Sequence, residues 1–233
     1  MVPWWPVVQR EDPQPGWEGS ALTPGPPEDS LLTMLANPKR DRIAERREAT
    51  RREILDVAWE LARERGLSQL TLRDIAHRVG MRAPSLYSHF ESKNAIYDAM
   101  FATAWTECLA VMTAAAGSPV TSPRAAMRQL ARAFFDFSAS DLSRHQLMNQ
   151  RTIFGFEPSA ESYAPAVATL EVLRAALAAQ NVTRQADVDL CVAVIGGLID
   201  AQLANDPGGD RWSRLLDRAI DMLADNLGVP ARA

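Results

Sequence analysis

Apolar positions beyond residue 38 repeat with the three-to-four-residue period of an α-helix. Ile54, Val57, Ala58 and Leu61 stand at i, i+3, i+4 and i+7 and form one apolar stripe. Strand-like runs of Val, Ile and Thr are scarce. The pattern therefore predicts an all-α fold.

Glycines and capping residues divide the region after this stripe. Gly66 ends the first helix. Thr71, with Asp74 three residues later, opens a second helix as a capping-box-like pair. The inner face of that helix consists of Leu72, Ile75, Ala76 and Val79. Gly80 permits a tight turn with a positive φ.

Further helices follow to the end of the chain. A short third helix is predicted from Ala83 to Phe90, with Pro84 in its first turn, where a missing N–H is harmless. Ser92 caps a long fourth helix that reaches about Ala116. The remaining helices are predicted at about 124–140, 141–151, 165–180, 184–204 and 211–226.

Charge is distributed unevenly along the chain. The net charge is -4, yet residues 39–95 hold 13 Lys and Arg against 9 Asp and Glu. A basic surface on an acidic protein is the electrostatic footprint of a DNA-binding module. A window of this length also varies by a few charges at random, so charge alone leaves DNA binding open.

Helix, three-residue turn and helix form a helix-turn-helix, whose second helix enters the major groove by its N-terminal end. The residues that reach base edges are then those at the turn and on the outer face. Arg82 can contact guanine bidentately, and Ala83 and Pro84 can contact a thymine methyl. Ser85 and Ser88 can hydrogen-bond to bases or phosphates.

Other side chains of this region are placed for the phosphate backbone. Tyr87 and His89 project sideways from the third helix, where phosphates run. Lys93 lies in the first turn of the fourth helix, whose N-terminus attracts anions. Thr71, at the N-terminus of the second helix, can contact the phosphate backbone in the same way.

Four arginines precede these helices: Arg46, Arg47, Arg51 and Arg52. They can touch phosphates. They can equally form a solvated face that pairs with Glu45, Glu48 and Glu53.

The stretch from Leu70 to Met100, LTLRDIAHRVGMRAPSLYSHFESKNAIYDAM, resembles the DNA-binding domain of TetR-family transcriptional regulators. The resemblance covers about residues 46–100. The matching positions are Thr71, Ile75, Ala76, Gly80, Pro84, Ser85, Leu86, Tyr87, His89, Phe90 and Lys93.

The resemblance implies a DNA-binding domain at residues 39–95 and a helical ligand-binding and dimerisation domain at residues 96–228. Such proteins are usually homodimeric repressors that bind a near-palindromic DNA operator and respond to a small-molecule effector. The helices at about 187–204 and 211–226 then fill the place of the dimer interface. Gly196 and Gly197 allow close helix approach at such an interface, although a kink or tight internal packing explains them equally well.

The C-terminal region supplies candidates for an apolar effector pocket: Trp105, Phe134, Phe137, His145, Met148 and Phe154. Helical bundles place such pockets between their helices. Much of an aromatic set is simply core, and a surface or partner-satisfied histidine is the favoured interpretation of His145.

The sequence argues against several other classes. Cys108 and Cys191 form no disulfide framework, which favours a reducing cytoplasm, and Cys191 is interpreted as a buried, inert thiol rather than a sensor. The three histidines lack metal-binding spacing. We therefore expect no metal, no cofactor, no catalytic site and no membrane span. A helical-bundle enzyme and a ligand-independent DNA-binding adaptor that acts through a protein partner remain as alternatives.

Residues 1–38 hold 8 of the 15 prolines and are interpreted as a disordered Pro-rich extension. Translation from Met34 is a second possibility for this end.

Overall fold

The computed structural model describes residues 38–231, and side chains from residue 42. Within that range the chain forms nine α-helices and no strand, which confirms the all-α prediction. The helices are α1 (Pro38–Arg65), α2 (Leu72–Val79), α3 (Ala83–Leu86), α4 (Lys93–Gly117), α5 (Pro123–Ala139), α6 (Leu142–Asn149), α7 (Ala160–Ala178), α8 (Gln185–Asn205) and α9 (Leu216–Asn226). The predictions for residues 1–37 and for Met34 lie outside the described residues.

The first turns of the helices follow the capping residues of the sequence. Thr71 accepts a hydrogen bond from the Asp74 amide at 3.1 Å and opens α2. Ser92 accepts one from the Ala95 amide at 3.1 Å and opens α4. Gly66 and Gly80 have φ values of 87° and 80°, a region that glycine occupies without a steric penalty. Both glycine turns and both caps are therefore confirmed.

Two hydrophobic cores lie side by side along the molecule. The first core contains the buried side chains of α1 to α4, with Leu147 and Met148 of α6 and Phe156. The second core is formed by α5, α7, α8 and α9. α4 belongs to the first core and also packs against α5 and α7.

α4 is long and apolar enough to cross a bilayer by length and composition alone. In the structure eight apolar side chains of α4 are buried: Ile96, Tyr97, Met100, Phe101, Ala104, Trp105, Cys108 and Met112. Val111, Ala114 and Ala116 are exposed. Burial within the protein therefore accounts for part of the hydropathy of α4.

Three arginine–aspartate pairs at successive turns hold α9 on α5. They are Arg124–Asp225 at 2.6 Å, Arg128–Asp221 at 2.5 Å and Arg132–Asp217 at 3.0 Å. Because these groups are partly exposed, each pair contributes little by itself. Together they fix the register of two antiparallel helices.

Three element boundaries differ from the predicted ones. α3 ends at Leu86 rather than Phe90, because the Ser88 hydroxyl donates to the Ser85 carbonyl and the chain continues as a turn. α7 begins at Ala160, five residues before the predicted start, because Ser159 caps it and Pro165 is accommodated inside the helix. α9 begins at Leu216, after a 3₁₀ turn at Ser213–Leu215.

Tyr97 provides a test of the packing between α4 and the loop after α1. Its buried hydroxyl donates to the Leu67 carbonyl at 2.5 Å. Tyr97→Phe removes this hydrogen bond and leaves the carbonyl with the Leu70 amide as its donor. We therefore expect a loss of about 0.5–1.5 kcal/mol in the free energy of unfolding, measured by urea titration. Tyr87→Phe, at an exposed tyrosine, is the control and should change nothing.

The same experiment has a pH arm. Burial raises the pKa of Tyr97 to about 12, above the value near 10 of an unfolded tyrosine. This contribution to stability is complete below about pH 10 and is lost as the pH rises toward 12. Equal alkaline losses in wild type and Tyr97→Phe would contradict the assignment.

Candidate nucleic-acid interface

α2, the turn after it and α3 form the predicted helix-turn-helix. The turn is closed by two backbone hydrogen bonds, Gly80 N to His77 O at 3.2 Å and Met81 N to Ala76 O at 2.9 Å. Arg82 then has an extended backbone and precedes the first residue of α3. Arg78 of α2 binds Glu64 of α1 through two hydrogen bonds of 3.1 and 2.9 Å, which fixes α2 against α1.

The structure brings the predicted DNA-contacting residues to the ends of α2, α3 and α4. The exposed ones are Thr71, Arg82, Pro84, Ser85, Tyr87 and Ser88, and the half-buried ones are Ala83, His89 and Lys93. Leu86 and Phe90 face the opposite way and are buried in the first core. α3 is thus anchored on one side and open to solvent on the other.

Hydroxyl chemistry separates these candidates. The Thr71 hydroxyl donates to the Asp74 carboxylate at 2.7 Å, so in the free protein it has no proton to offer a phosphate. The Ser88 hydroxyl donates to the Ser85 carbonyl at 2.7 Å. Its oxygen can therefore still accept but not donate. Ser85 and Tyr87 are the exposed hydroxyls of α3 for which no such bond is formed within the described residues.

The N-terminus of α4 lies next to α3 along the chain. Its first amides carry the partial positive charge of the helix dipole. Lys93 adds a full positive charge there, and its Nζ lies 5.5 Å from the centre of the Tyr97 ring. Helix dipole and lysine together suit a phosphate group.

Two arginines of α1 bind the end of α3, which neither interpretation of the arginine run predicted. Arg47 Nη2 donates to the Ser88 carbonyl at 3.0 Å, and Arg51 Nη1 donates to the His89 carbonyl. The Arg51 guanidinium also stacks on the Phe90 ring, 4.1 Å from its centre. The sequence signal for this pair is the spacing of four residues, which places both arginines on the same face of α1.

A second site lies in the other core. An apolar cavity of about 50 Å³ lies between α4, α5, α7, α8 and α9. Its lining residues are Met112, Met127, Leu130, Ala131, Phe134, Thr169, Leu170, Leu173, Ala176, Leu177, Cys191, Val192, Ile195 and Ile220. None of these side chains carries a charge at neutral pH, since burial raises the pKa of the Cys191 thiol to about 11.

The predicted pocket residues are only partly at this cavity. Phe134 lines it, and Trp105 stacks on Phe134 behind the wall with ring centres 6.4 Å apart. Met148 is buried in the first core instead. Phe154 is a correction, because it is fully exposed beside the Gly155 turn and lines no part of the cavity.

The remaining two candidates are bound by polar partners outside the cavity. His145 is buried and its Nε2 lies 2.8 Å from the Asp200 carboxylate, which makes it a partner-satisfied histidine. Phe137 lies under the Arg144 guanidinium at 3.8 Å. Sequence alone could not tell which aromatics face a void and which complete a packed wall.

A carboxylate of α4 joins the two halves of the molecule. Asp98 accepts hydrogen bonds from the Ser159 amide at 2.7 Å, the Ser159 hydroxyl at 2.9 Å and the Ser162 hydroxyl at 2.7 Å. These groups form the N-terminus of α7, where a negative charge is stabilised by the helix dipole. The C-terminal half of α7 contributes Leu173, Ala176 and Leu177 to the cavity wall.

Apolar residues of α8, of α9 and of the 3₁₀ turn before α9 are open to solvent and are together called the apolar face on α8 and α9. Its exposed members are Leu190, Ala193, Gly197, Leu215 and Met222. A Cβ added to Gly196 or Gly197 would meet no atom within 4 Å, so packing inside one protomer does not require glycine at either position.

Comparison with known proteins addresses the N-terminal helices. Residues 54–100 match the family model described as "Bacterial regulatory proteins, tetR family". The HTH-type transcriptional repressor KstR2 of Rhodococcus jostii (strain RHA1) is 50% identical over 48 residues, which are 21% of this chain and 24% of that protein. The chain thus spans about a quarter of the length of this curated relative.

Solved structures cover most of the chain. The TetR family transcriptional regulator PfmR from Thermus thermophilus superposes with a TM-score of 0.56 and 26% identity, covering 73% of this chain and 96% of PfmR. The transcriptional regulator FadR from Bacillus subtilis, solved in complex with stearoyl-CoA, has a TM-score of 0.61 and 17% identity, covering 73% and 96%. The FadR likeness shows the shared fold.

Lys93→Ala and Arg82→Ala should weaken DNA binding in different ways. Loss of a phosphate contact at Lys93 lowers the affinity for all duplexes and reduces the salt-dependence slope by about 0.9 for each protomer bound. Loss of a base contact at Arg82 costs roughly 1–3 kcal/mol at one base pair and relaxes sequence preference there. Fluorescence anisotropy over a salt series measures both quantities.

Arg73→Ala, at an exposed arginine of α2, serves as the charge-matched control. Wild-type slope and wild-type preference in both test variants would contradict the placement of α3 and α4 on DNA.

Proposed function

Because residues 54–100 form a DNA-binding domain of the TetR family, we propose that the chain is a ligand-responsive transcriptional repressor. It binds a near-palindromic operator as a homodimer in the cytoplasm. The observation that carries the proposal is the combination of an exposed helix-turn-helix with an apolar cavity in the second core, joined through α4 and α7.

In this proposal α3 enters the major groove by its N-terminal end. Arg82 and Ser85 contact bases, while Ala83 and Pro84 lie against thymine methyl groups. Tyr87, His89 and Lys93 hold the phosphates on either side. Ser88, whose hydroxyl proton is taken by the Ser85 carbonyl, can accept a hydrogen bond from a base amino group. Thr71 contributes chiefly as the cap of α2, since its hydroxyl proton is taken by Asp74.

Dimerisation is proposed through α8 and α9, close to the predicted ranges 187–204 and 211–226. The apolar face on these helices supports the proposal, with Met222 alone 64% exposed. Gly197 in this face permits close approach of a second helix. Two α3 helices of such a dimer occupy successive major grooves, about 34–36 Å apart.

The effector is proposed to be an uncharged apolar molecule or an apolar chain. A charged group inside the cavity would lose its hydration without gaining a partner there, which is costly. The cavity favours a ligand-responsive protein over an adaptor that needs no ligand, and an effector with a long apolar chain has to widen this space of about 50 Å³ by displacing the helices around it. Among the described residues no cluster of three or more His, Cys, Asp or Glu could hold a metal ion, so nothing there favours a metal-dependent enzyme.

Signal transfer is proposed to run through α7. A ligand that displaces the cavity half of α7 also displaces its N-terminus, which Asp98 ties to α4. Lys93 lies five residues before Asp98 on the same helix. The distance between the two α3 helices of the dimer then changes, so that only one of them can contact its half of the operator.

The first test is selection from a pool of random duplex DNA by the purified protein, followed by sequencing and a salt titration. We expect enrichment of a near-palindrome with a steep salt dependence. Absence of any enriched sequence at low salt would contradict the proposal.

Gly197→Arg tests the dimer face. We expect a folded monomer in sedimentation velocity and loss of high-affinity operator binding, since a large charged side chain blocks close approach. Gly117→Arg is the matched control, because Gly117 also lies in a helix with no atom within 4 Å of an added Cβ. A dimeric Gly197→Arg protein would place the interface elsewhere.

A panel of 1-dodecanol, dodecanoate and dodecylammonium tests the cavity. We expect the neutral alcohol to raise the melting temperature most, and Ala131→Phe, which fills the cavity, to abolish that rise. Asp98→Asn should keep the rise but reduce the effect of the alcohol on DNA affinity. Stronger binding of dodecanoate or dodecylammonium than of the alcohol would contradict the proposed uncharged effector. An undiminished effect of the alcohol on DNA affinity in Asp98→Asn would contradict the proposed signal transfer through α7.

A further inference from the structure

α3 is too short to hold its own shape. It has four residues, Ala83–Leu86, which is a single turn. The Ser85 and Leu86 carbonyls accept from amides of the following turn, but no backbone amide of the described residues donates to the carbonyls of Ser88 and His89. One isolated turn is also unfavourable in water, because it fixes several residues for very few hydrogen bonds. Some other part of the protein therefore has to stabilise the end of α3.

The donors come from α1. The arginine pair, Arg47 and Arg51, binds the carbonyls of Ser88 and His89, at the C-terminal side of α3. Positive charge at that end complements the helix dipole. We propose that the arginine pair are positioning residues for DNA recognition, which set the direction of α3 without touching DNA. This inference rests on the proposed DNA-binding function.

Arg51 is itself held from two sides. Its guanidinium stacks on Phe90 at 4.1 Å while it donates to the next carbonyl back along the chain. Phe90 is buried in the first core. A planar guanidinium can stack and donate at once, which a lysine ammonium cannot. Arg51 thereby fixes the end of α3 relative to the first core.

The neighbouring arginines differ from this pair. Arg51 is half-buried, whereas Arg46, Arg47 and Arg52 are exposed. Arg47 differs from Arg46 and Arg52 through its hydrogen bond to the Ser88 carbonyl. On a helix, residues 47 and 51 share one face and residues 46 and 52 lie off it. Arg47 and Arg51 therefore point toward the end of α3 and bind it, whereas Arg46 and Arg52 point into solvent.

The consequence concerns specificity rather than charge. Without the arginine pair, the turn after Leu86 frays, and Arg82 and Ser85 at the other end of the same helical turn lose their fixed direction toward the groove. Contacts to base edges need that direction, while attraction to phosphates does not. Specific binding should therefore fall more than nonspecific binding.

The first experiment needs no DNA. Hydrogen exchange of residues 83–92 is measured in the full chain for Arg47→Ala, Arg51→Ala, Arg51→Lys and the double control Arg46→Ala/Arg52→Ala. We expect exchange of the His89 and Phe90 amides to quicken by about tenfold in Arg51→Ala, as loss of a charge-assisted hydrogen bond predicts. Arg51→Lys should recover part of the protection, and the control should match wild type.

Arg51→Ala removes a stacking contact with the core and could prevent folding. Arg47→Ala leaves the stacking of Arg51 on Phe90 intact, so we expect it to fold and to test the proposal in that case. Unchanged exchange in the Arg47 and Arg51 variants would overturn the proposal. Because this arm uses the free protein, it also stands if selection yields no operator and the proposed function fails.

The second experiment compares the affinity for the selected duplex with that for a scrambled duplex of equal composition. We expect the ratio to fall by about tenfold in the Arg47 and Arg51 variants with an unchanged salt slope, as loss of a base contact does. A slope lower by about 0.9 per arginine with a constant ratio would identify the pair as phosphate contacts and overturn the proposal.

Discussion

Burial of α4 is the constraint on which the rest of the structure depends. Its buried side chains, from Ile96 to Met112, need cover, and α1, α5, α6 and α7 supply it. The same helix begins at Lys93 beside α3 and carries Met112 to the wall of the cavity. One hydrophobic requirement thus joins a polar surface at one end to an apolar void at the other.

The two ends of α4 differ in chemistry because they have different neighbours. Around its N-terminus lie short helices with exposed Ser, Tyr and Arg, positioned by a few buried anchors such as Leu86 and Phe90. Further along it, long helices enclose a space with no charged wall. Asp98 lies between these regions and binds the end of α7 with three hydrogen bonds. A shift of α7 therefore also displaces the N-terminal part of α4, near the proposed DNA surface.

Local chemistry made much of this predictable. Thr71, Gly80 and Ser92 set helix ends by interactions within three or four residues, so the sequence alone was sufficient for them. The arginine pair was not predictable, because its partners lie 41 and 38 residues away. The cavity was also beyond reach: whether Phe134 or Phe154 faces a void depends on how five helices meet. Pro165 misled the prediction for α7, because a proline that suits a first turn is tolerated here inside the helix.

The central claim is that two copies of the helix-turn-helix act together on one DNA site. The direct measurement is the dissociation constant for the selected duplex, compared with a duplex of equal length in which one half-site is scrambled. Simultaneous engagement predicts an affinity lower by about a hundredfold or more when one half-site is lost. Equal affinities for the two duplexes would show that each protomer binds alone and would contradict the account.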